Sequence, residues 1–193
     1  MLTVFQMIGW MACVVYATIP SFWLVIHPRV EYWRSRSSSP YRLLLPMWMG
    51  MWVICGLVTA PWRHIPLYRA TWSWIPAAIV FGIGFWIYRR SGAEFSAKQL
   101  GGLPEVLDGH REQRLVTSGI RSRVRHPIYL GHLCELLAWS MGTGLLVCYG
   151  LTVFAMLTGA IMIRMEDREL EQRFGEAYRK YRTTVPVLFP RIP

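Results

Sequence analysis

Uncharged residues dominate four long stretches of this chain. Residues 1–28, 43–62 and 70–88 contain no Lys, Arg, Asp or Glu, and between residues 127 and 163 the only such residue is Glu135. A helix of roughly 20 residues crosses the hydrocarbon core of a bilayer, so each of the first three runs predicts one membrane span. The fourth is long enough for two shorter spans that turn near "MGTG", residues 141–144. The pattern therefore predicts five helices, of which the fourth has the shortest apolar part.

The polar stretches between these runs hold the basic residues. Four Lys or Arg fall in 29–42, two in 63–69, eight in 89–125 and seven in 164–191. With five crossings nineteen of the 21 lie on one side, and the positive-inside rule makes that side cytoplasmic, with the N-terminus outside and the C-terminus inside. In a prokaryote this is the inner membrane. The first run lacks the basic start of a secretory signal, since its first Lys or Arg is Arg29, and it reads as a retained helix kinked near Pro20.

Composition agrees, with 53% hydrophobic and 17% charged residues. The net charge of +10 does not indicate nucleic acid, because the Arg residues flank apolar runs and form no basic groove interleaved with aromatics. Anionic headgroups are their natural partners. Cys13, Cys55, Cys134 and Cys148 lie inside apolar runs without C-x-x-C spacing and read as packing residues. Residues 1–193 form a single membrane domain, with 1–88 a three-helix scaffold and 89–193 the informative part. Within the scaffold "AAIVFGIG", residues 77–84, carries small residues suited to close helix contact.

Two polar stretches embrace the last hairpin. Residues 95–127 contain helix breakers at Gly101, Gly102, Pro104, Gly109 and Gly119, which leaves backbone groups able to meet a polar ligand. No strand precedes the Gly pair and no third Gly follows at the proper spacing, so it is no dinucleotide fingerprint. Residues 164–182 read as one surface helix with Leu170, Phe174, Ala177 and Tyr181 on its apolar stripe. Glu169 with Arg173 and Glu176 with Lys180 are ordinary i, i+4 support. Glu166 falls on the apolar stripe instead, where a carboxylate needs a partner.

"RHPIYLGHLCE", residues 125–135, begins the hairpin, and "RMED", residues 164–167, ends it. An antiparallel pair brings these two ends together, so Arg125, His126, Arg164 and Glu166 face one another at the membrane border. His126, His132 and Glu135 could be guessed as metal ligands, but the His132–Glu135 pair, at i, i+3 on one helix face, lacks a clear third ligand, and no metal is expected. His132 and Glu135 read as braces of the hairpin or as the lining of a lipid-side entrance.

"LVTSGIRSRVRHPIYLG" followed by "EDRELEQRFGEAYRKYRTTVPVLFP" resembles the isoprenylcysteine carboxyl methyltransferase family and its phospholipid methyltransferase relatives, over residues 94–190. The resemblance implies an all-α integral membrane enzyme of about five spans, with a cytoplasmic cofactor-binding loop and a C-terminal interfacial helix. It implies S-adenosylmethionine as cofactor and an amphiphilic, lipid-like or isoprenoid-type acceptor drawn from the bilayer, with carboxyl O-methylation the leading reaction. Cofactor contacts carry over to Gln113, Arg114, Leu115, Val116, His126, Pro127, Ile128, Tyr129, Glu166 and Asp167. Tyr129 would face the sulfonium, and Arg125 or Arg164 would hold an anionic head, with Arg164 favoured for its closeness to Glu166. Two positions depart from the family pattern: Arg121 stands where an aromatic is common, and Met162 where the eukaryotic enzymes place a substrate-binding Arg. Membrane sterol reductases that use NADPH share a similar "RHP-x-Y-x-G" hairpin, but carry Asn and an acid where this chain has Ile128 and His132. A non-catalytic membrane adaptor is the third reading.

Overall fold

A computed structural model describes residues 3–29, 32–33, 35, 41–92 and 115–190. Among these the chain is all-helical, with a single isolated β-bridge between Pro66 and Leu145. Helix α1 spans Val4–Ile26, α2 Tyr41–Thr59, α3 Trp74–Gly92, α4 Pro127–Thr143, α5 Leu146–Phe174 and α6 Glu176–Thr184. Thr3 caps α1 through a reciprocal bond with Gln6, and Pro20 is accommodated inside that helix without ending it. Four of the helices, α1, α2, α3 and α5, are long and apolar enough to cross a membrane. The protein is an integral membrane protein. Helix α4 has 17 residues, a rise of roughly 26 Å. It sits at the short end of the spanning range, as its brief apolar run predicts.

Helix ends segregate into two groups, as alternating passes require. At one end Ile26 of α1 packs with Leu44 of α2 and with Trp33, and Tyr88 of α3 meets His132 of α4. At the other, Trp10 donates to the Thr59 hydroxyl (3.0 Å), Gln6 to the carbonyl of Thr143 (3.4 Å) and Ser73 to that of Gly142 (3.3 Å). The hairpin turn falls where expected. Gly144 adopts φ +64, and a Cβ there would lie 2.5 Å from the carbonyl oxygen of Tyr68.

The core lies between α1, α4 and α5, where Cys13, Val14, Ala17, Leu136, Cys148 and Leu151 are buried together. Cys13, Cys134 and Cys148 are free and buried, the packing role their setting predicts. Ala77 and Gly84 of "AAIVFGIG" are buried, and Gly84 faces Cys134 and Glu135 of α4. By contrast α2 is exposed along most of its length, a surface suited to lipid.

The C-terminal reading needs correction. Residues 164–174 are the continuation of α5 and not the start of a separate helix, and Gly175, at φ +55, breaks the chain before α6. That break shifts the helical register, so Tyr178 is buried with Tyr181 and Val185 while Ala177 is exposed. Glu169 pairs with Arg173 as expected, but Glu176 pairs with Arg179 (3.0 Å) and not with Lys180.

Candidate functional site

Pro127 at the first position of α4 needs no backbone donor, and it leaves His126 as the residue before the helix, with φ −119 and ψ 63. The His126 side chain caps nothing, so it is free to reach across to α5. Its Nε2 lies 2.9 Å from Oδ1 of Asp167 and its Nδ1 3.3 Å from Oε2 of Glu166. Arg125 stands 3.3 Å from the other Asp167 oxygen, and the Tyr178 hydroxyl donates to Asp167. Tyr129 stacks 5.8 Å from the His126 ring and also interacts with Glu166.

Two half-buried carboxylates and two buried cations thus meet in a quartet. Burial alone would lower the basicity of His126, but the charges of Glu166 and Asp167 outweigh it and lift its pKa to about 9. The imidazolium then supplies one N–H to each acid. What the quartet leaves open is informative. Nε and Nη1 of Arg125 are buried without a hydrogen-bond partner among the described residues, and Oε2 of Glu166 has only the long 3.3 Å contact to His126, so that it can accept further. A buried donor pair beside a buried acceptor is costly when empty and fits a zwitterion.

Backbone contacts fix this edge. The N–H groups of Arg125 and His126 donate to the carbonyls of Pro186 (2.9 Å) and Val187 (3.1 Å), and the Tyr181 hydroxyl to that of Arg121 (2.7 Å). The C-terminal tail therefore straps the beginning of α4. A second His–acid pair lies nearby, with Nδ1 of His27 2.6 Å from Oε2 of Glu169, which ties the end of α1 to α5.

Of the residues singled out from sequence, the fold gathers Arg125, His126, Tyr129, Glu166 and Asp167 at one point. Pro127 is fully buried beside them, and Ile128 is partly exposed. Leu115 packs instead against the Tyr178 cluster, with Val116 next to it in sequence and half-buried. Gln113 and Arg114 lie outside the described residues. Arg164 is exposed and makes no ion pair among the described residues. Two residues along a helix turn the side chain by about 200°, so Arg164 and Glu166 occupy opposite faces. Glu166 is not alone, since His126 answers it across the hairpin. Sequence reasoning missed His27, Tyr178 and Tyr88. Their only signals are a His at the end of an apolar run and two Tyr among basic residues or at a span's end.

The chain is 33% identical over 113 residues to a protein-S-isoprenylcysteine O-methyltransferase of Schizosaccharomyces pombe, covering 55% of this chain and 45% of that protein. It is 30% identical over 151 residues to a methanethiol S-methyltransferase of Pseudomonas deceptionensis, covering 70% and 55% respectively. These matches make the chain similar to isoprenylcysteine carboxyl methyltransferase-like proteins. A Delta(14)-sterol reductase of Mus musculus is also similar, at 31% over 116 residues, with 27% of its length covered. The chain spans about half the length of the methyltransferases it matches. No protein-family model and no solved structure matches it.

Proposed function

We propose that this protein is a member of the isoprenylcysteine carboxyl methyltransferase-like family, an S-adenosylmethionine-dependent membrane methyltransferase acting on an amphiphilic acceptor that arrives from the bilayer. The observation that carries the reading is the hydrogen-bonding capacity left in the quartet: two Arg125 donors without a partner among the described residues, and Oε2 of Glu166, met only at 3.3 Å by His126. These match the α-carboxylate and α-ammonium of an amino-acid moiety, which is one end of S-adenosylmethionine. When bound, the cofactor supplies an electrophilic methyl group on a sulfonium. His126 would hold Glu166 and Asp167 in place, and Tyr129 would offer its ring to the positive sulfur. Arg125 thereby meets the cofactor's carboxylate, a part distinct from holding the acceptor's anionic head, for which the sequence favoured Arg164. The methyltransferase relatives support this reading over a reductase, since more of their length is covered, 45% and 55% against 27%, and the methanethiol S-methyltransferase aligns over 70% of this chain against 54%.

Calorimetry with purified protein separates the classes. S-adenosylhomocysteine should bind and NADPH should not, and the reverse would establish the reductase. Glu166→Gln should weaken S-adenosylhomocysteine binding by roughly ten- to a hundredfold, the loss of one charge-assisted bond of about 1.5–3 kcal/mol. Glu176→Gln, at an exposed pair, should leave it unchanged.

A further inference from the structure

The end of the helix bundle opposite the quartet holds a cavity of about 310 Å³. Gln6 lines it from the start of α1, His64 and Arg69 from the loop after α2, Thr71 and Trp74 from the entry to α3, and Thr143 from the α4–α5 turn. Its walls are fixed by the fold. The N–H of Leu67 donates to the carbonyl of Gly144 (2.8 Å) and that of Leu146 to the carbonyl of Ile65 (3.0 Å), which clamps the loop onto the turn. Trp74 packs so closely on Gly142 that an added Cβ would lie 2.5 Å from its ring. A cavity held in this way is formed before a ligand arrives, which lowers the cost of binding one.

Its charge is one-sided. Residues 1–30, 32–93 and 136–165 contain no Asp or Glu, so the segments around the cavity bring Arg69 to it and no acid to pair with. The neighbouring Arg63 is engaged, with its guanidinium 5.2 Å from the Trp10 ring centroid and its Nε donating to Nε2 of His64 (3.3 Å). With that nitrogen accepting, His64 carries its proton on Nδ1 and is itself a donor. The cap of α1 is closed on itself by Thr3 and Gln6, so the available donors are the side chains of Arg69, His64 and Thr71. Around them the surface is apolar. Phe5, Leu67, Trp72 and Ile75, each next in sequence to a lining residue, are exposed, and Phe5 meets Trp74 edge-on at 5.9 Å. Exposed Trp and aliphatic side chains beside Arg mark the level where headgroups give way to acyl chains.

We infer that this cavity binds the phosphodiester head of an anionic phospholipid, whose acyl chains run along the exposed Phe5–Trp74 edge. Arg69 meets the phosphate with two parallel N–H groups, and His64 and Thr71 add neutral donors. At about 30 Å³ per water the cavity has the volume of roughly ten waters, room for a phosphate and a glycerol but not for the chains. A zwitterionic head would bring an ammonium group into a space that offers no carboxylate to meet it. A soluble phosphate ester would find the same donors, but it would forgo the apolar rim and rely on exposed charge, which binds weakly in water. A lipid seated here touches α1, the loop, the entry to α3 and the hairpin turn together, and so stabilises the folded chain by mass action. The site stands apart from the quartet, and the inference does not depend on methyl transfer.

The test uses the full chain in dodecyl maltoside, with phosphatidylglycerol, phosphatidylcholine of the same chains, or soluble glycerol 3-phosphate added. Native mass spectrometry reads the affinity of the tightest-bound lipid, and thermal unfolding reads Tm. Phosphatidylglycerol should bind about tenfold tighter than phosphatidylcholine and raise Tm, and glycerol 3-phosphate should leave Tm unchanged. Arg69→Gln should abolish the preference and the rise, Arg69→Lys should keep part of both, and Arg90→Gln, at the opposite end of α3, should keep them whole. Equal affinity for the two lipids overturns the inference, as does a preference undiminished in Arg69→Gln or lost equally in Arg90→Gln. A rise with glycerol 3-phosphate as large as with phosphatidylglycerol also overturns it and makes the cavity a soluble-anion site. If Arg69→Gln fails to fold, His64→Gln and Thr71→Ala, both at exposed positions, take its place. Each should weaken phosphatidylglycerol binding about threefold or more, and unchanged affinity in both overturns the assignment.

Discussion

His126 holds one carboxylate on each ring nitrogen, and both contacts require it to be protonated. Its pKa, pushed up to about 9 by those acids, stands above the roughly 6.5 of an unfolded chain. The quartet's contribution to stability is therefore complete below about pH 6.5, and is lost as pH rises through 9. Thermal unfolding in detergent between pH 6 and pH 10 should show a falling Tm across that window. His126→Gln should lower Tm at pH 6 and remove most of the slope. A slope retained in His126→Gln would assign it to another group. Arg125 has a different part at the same spot. Its guanidinium is fixed at one edge by Asp167 and, among the described residues, unpartnered at the other two nitrogens, a geometry that Lys, with a single ammonium, does not reproduce.

Helix α4 is the element on which the site hangs, and its partner is α3. A Cβ on Gly131 would lie 2.7 Å from the Tyr88 ring, so the two helices touch where Tyr88 reaches His132. Gly131→Ala should displace that ring and lower stability by about 1–3 kcal/mol, read as a drop in Tm. Gly82→Ala, with no atom within 4 Å of the added carbon, should be neutral or slightly stabilising. Elements of this kind were legible in the chain because uncharged runs and helix breakers are local signals. The spans, the turn at Gly144 and the meeting of "RHP" with "RMED" follow from them. What was not legible depends on registers set by tertiary packing. Gly175 splits an apolar stripe that reads as continuous, moving burial from Ala177 to Tyr178, and only the fold shows that Tyr178 then reaches Asp167. Arg164 and Arg125 are equivalent by sequence distance from the hairpin ends; the direction in which each projects decides between them.

At the scale of the whole molecule, the segregated helix ends put Arg89, Arg90, Arg125 and the basic extension of α5 on one side, with Arg63 and Arg69 on the other. On the positive-inside rule we propose that the first side is cytoplasmic. Cysteines introduced at Thr183 and at Arg69 of a Cys-free variant should differ in intact cells. An impermeant maleimide should label Arg69→Cys and spare Thr183→Cys, and the opposite result would invert the topology. The contacts that complete the quartet join distant parts of the chain. His27, at the end of the first span, is held by Glu169, near the end of the last, and the backbone of Arg125 and His126 is held by Pro186 and Val187. Synthesis proceeds from the N-terminus, so α1 enters the membrane long before its partner on α5 exists. A ribosome that has not yet passed residue 187 has made every charged member of the quartet without the strap that orders them. During biogenesis these acids and cations must therefore wait near the membrane surface, exposed to water and to quality control, until residues 186 and 187 close over them.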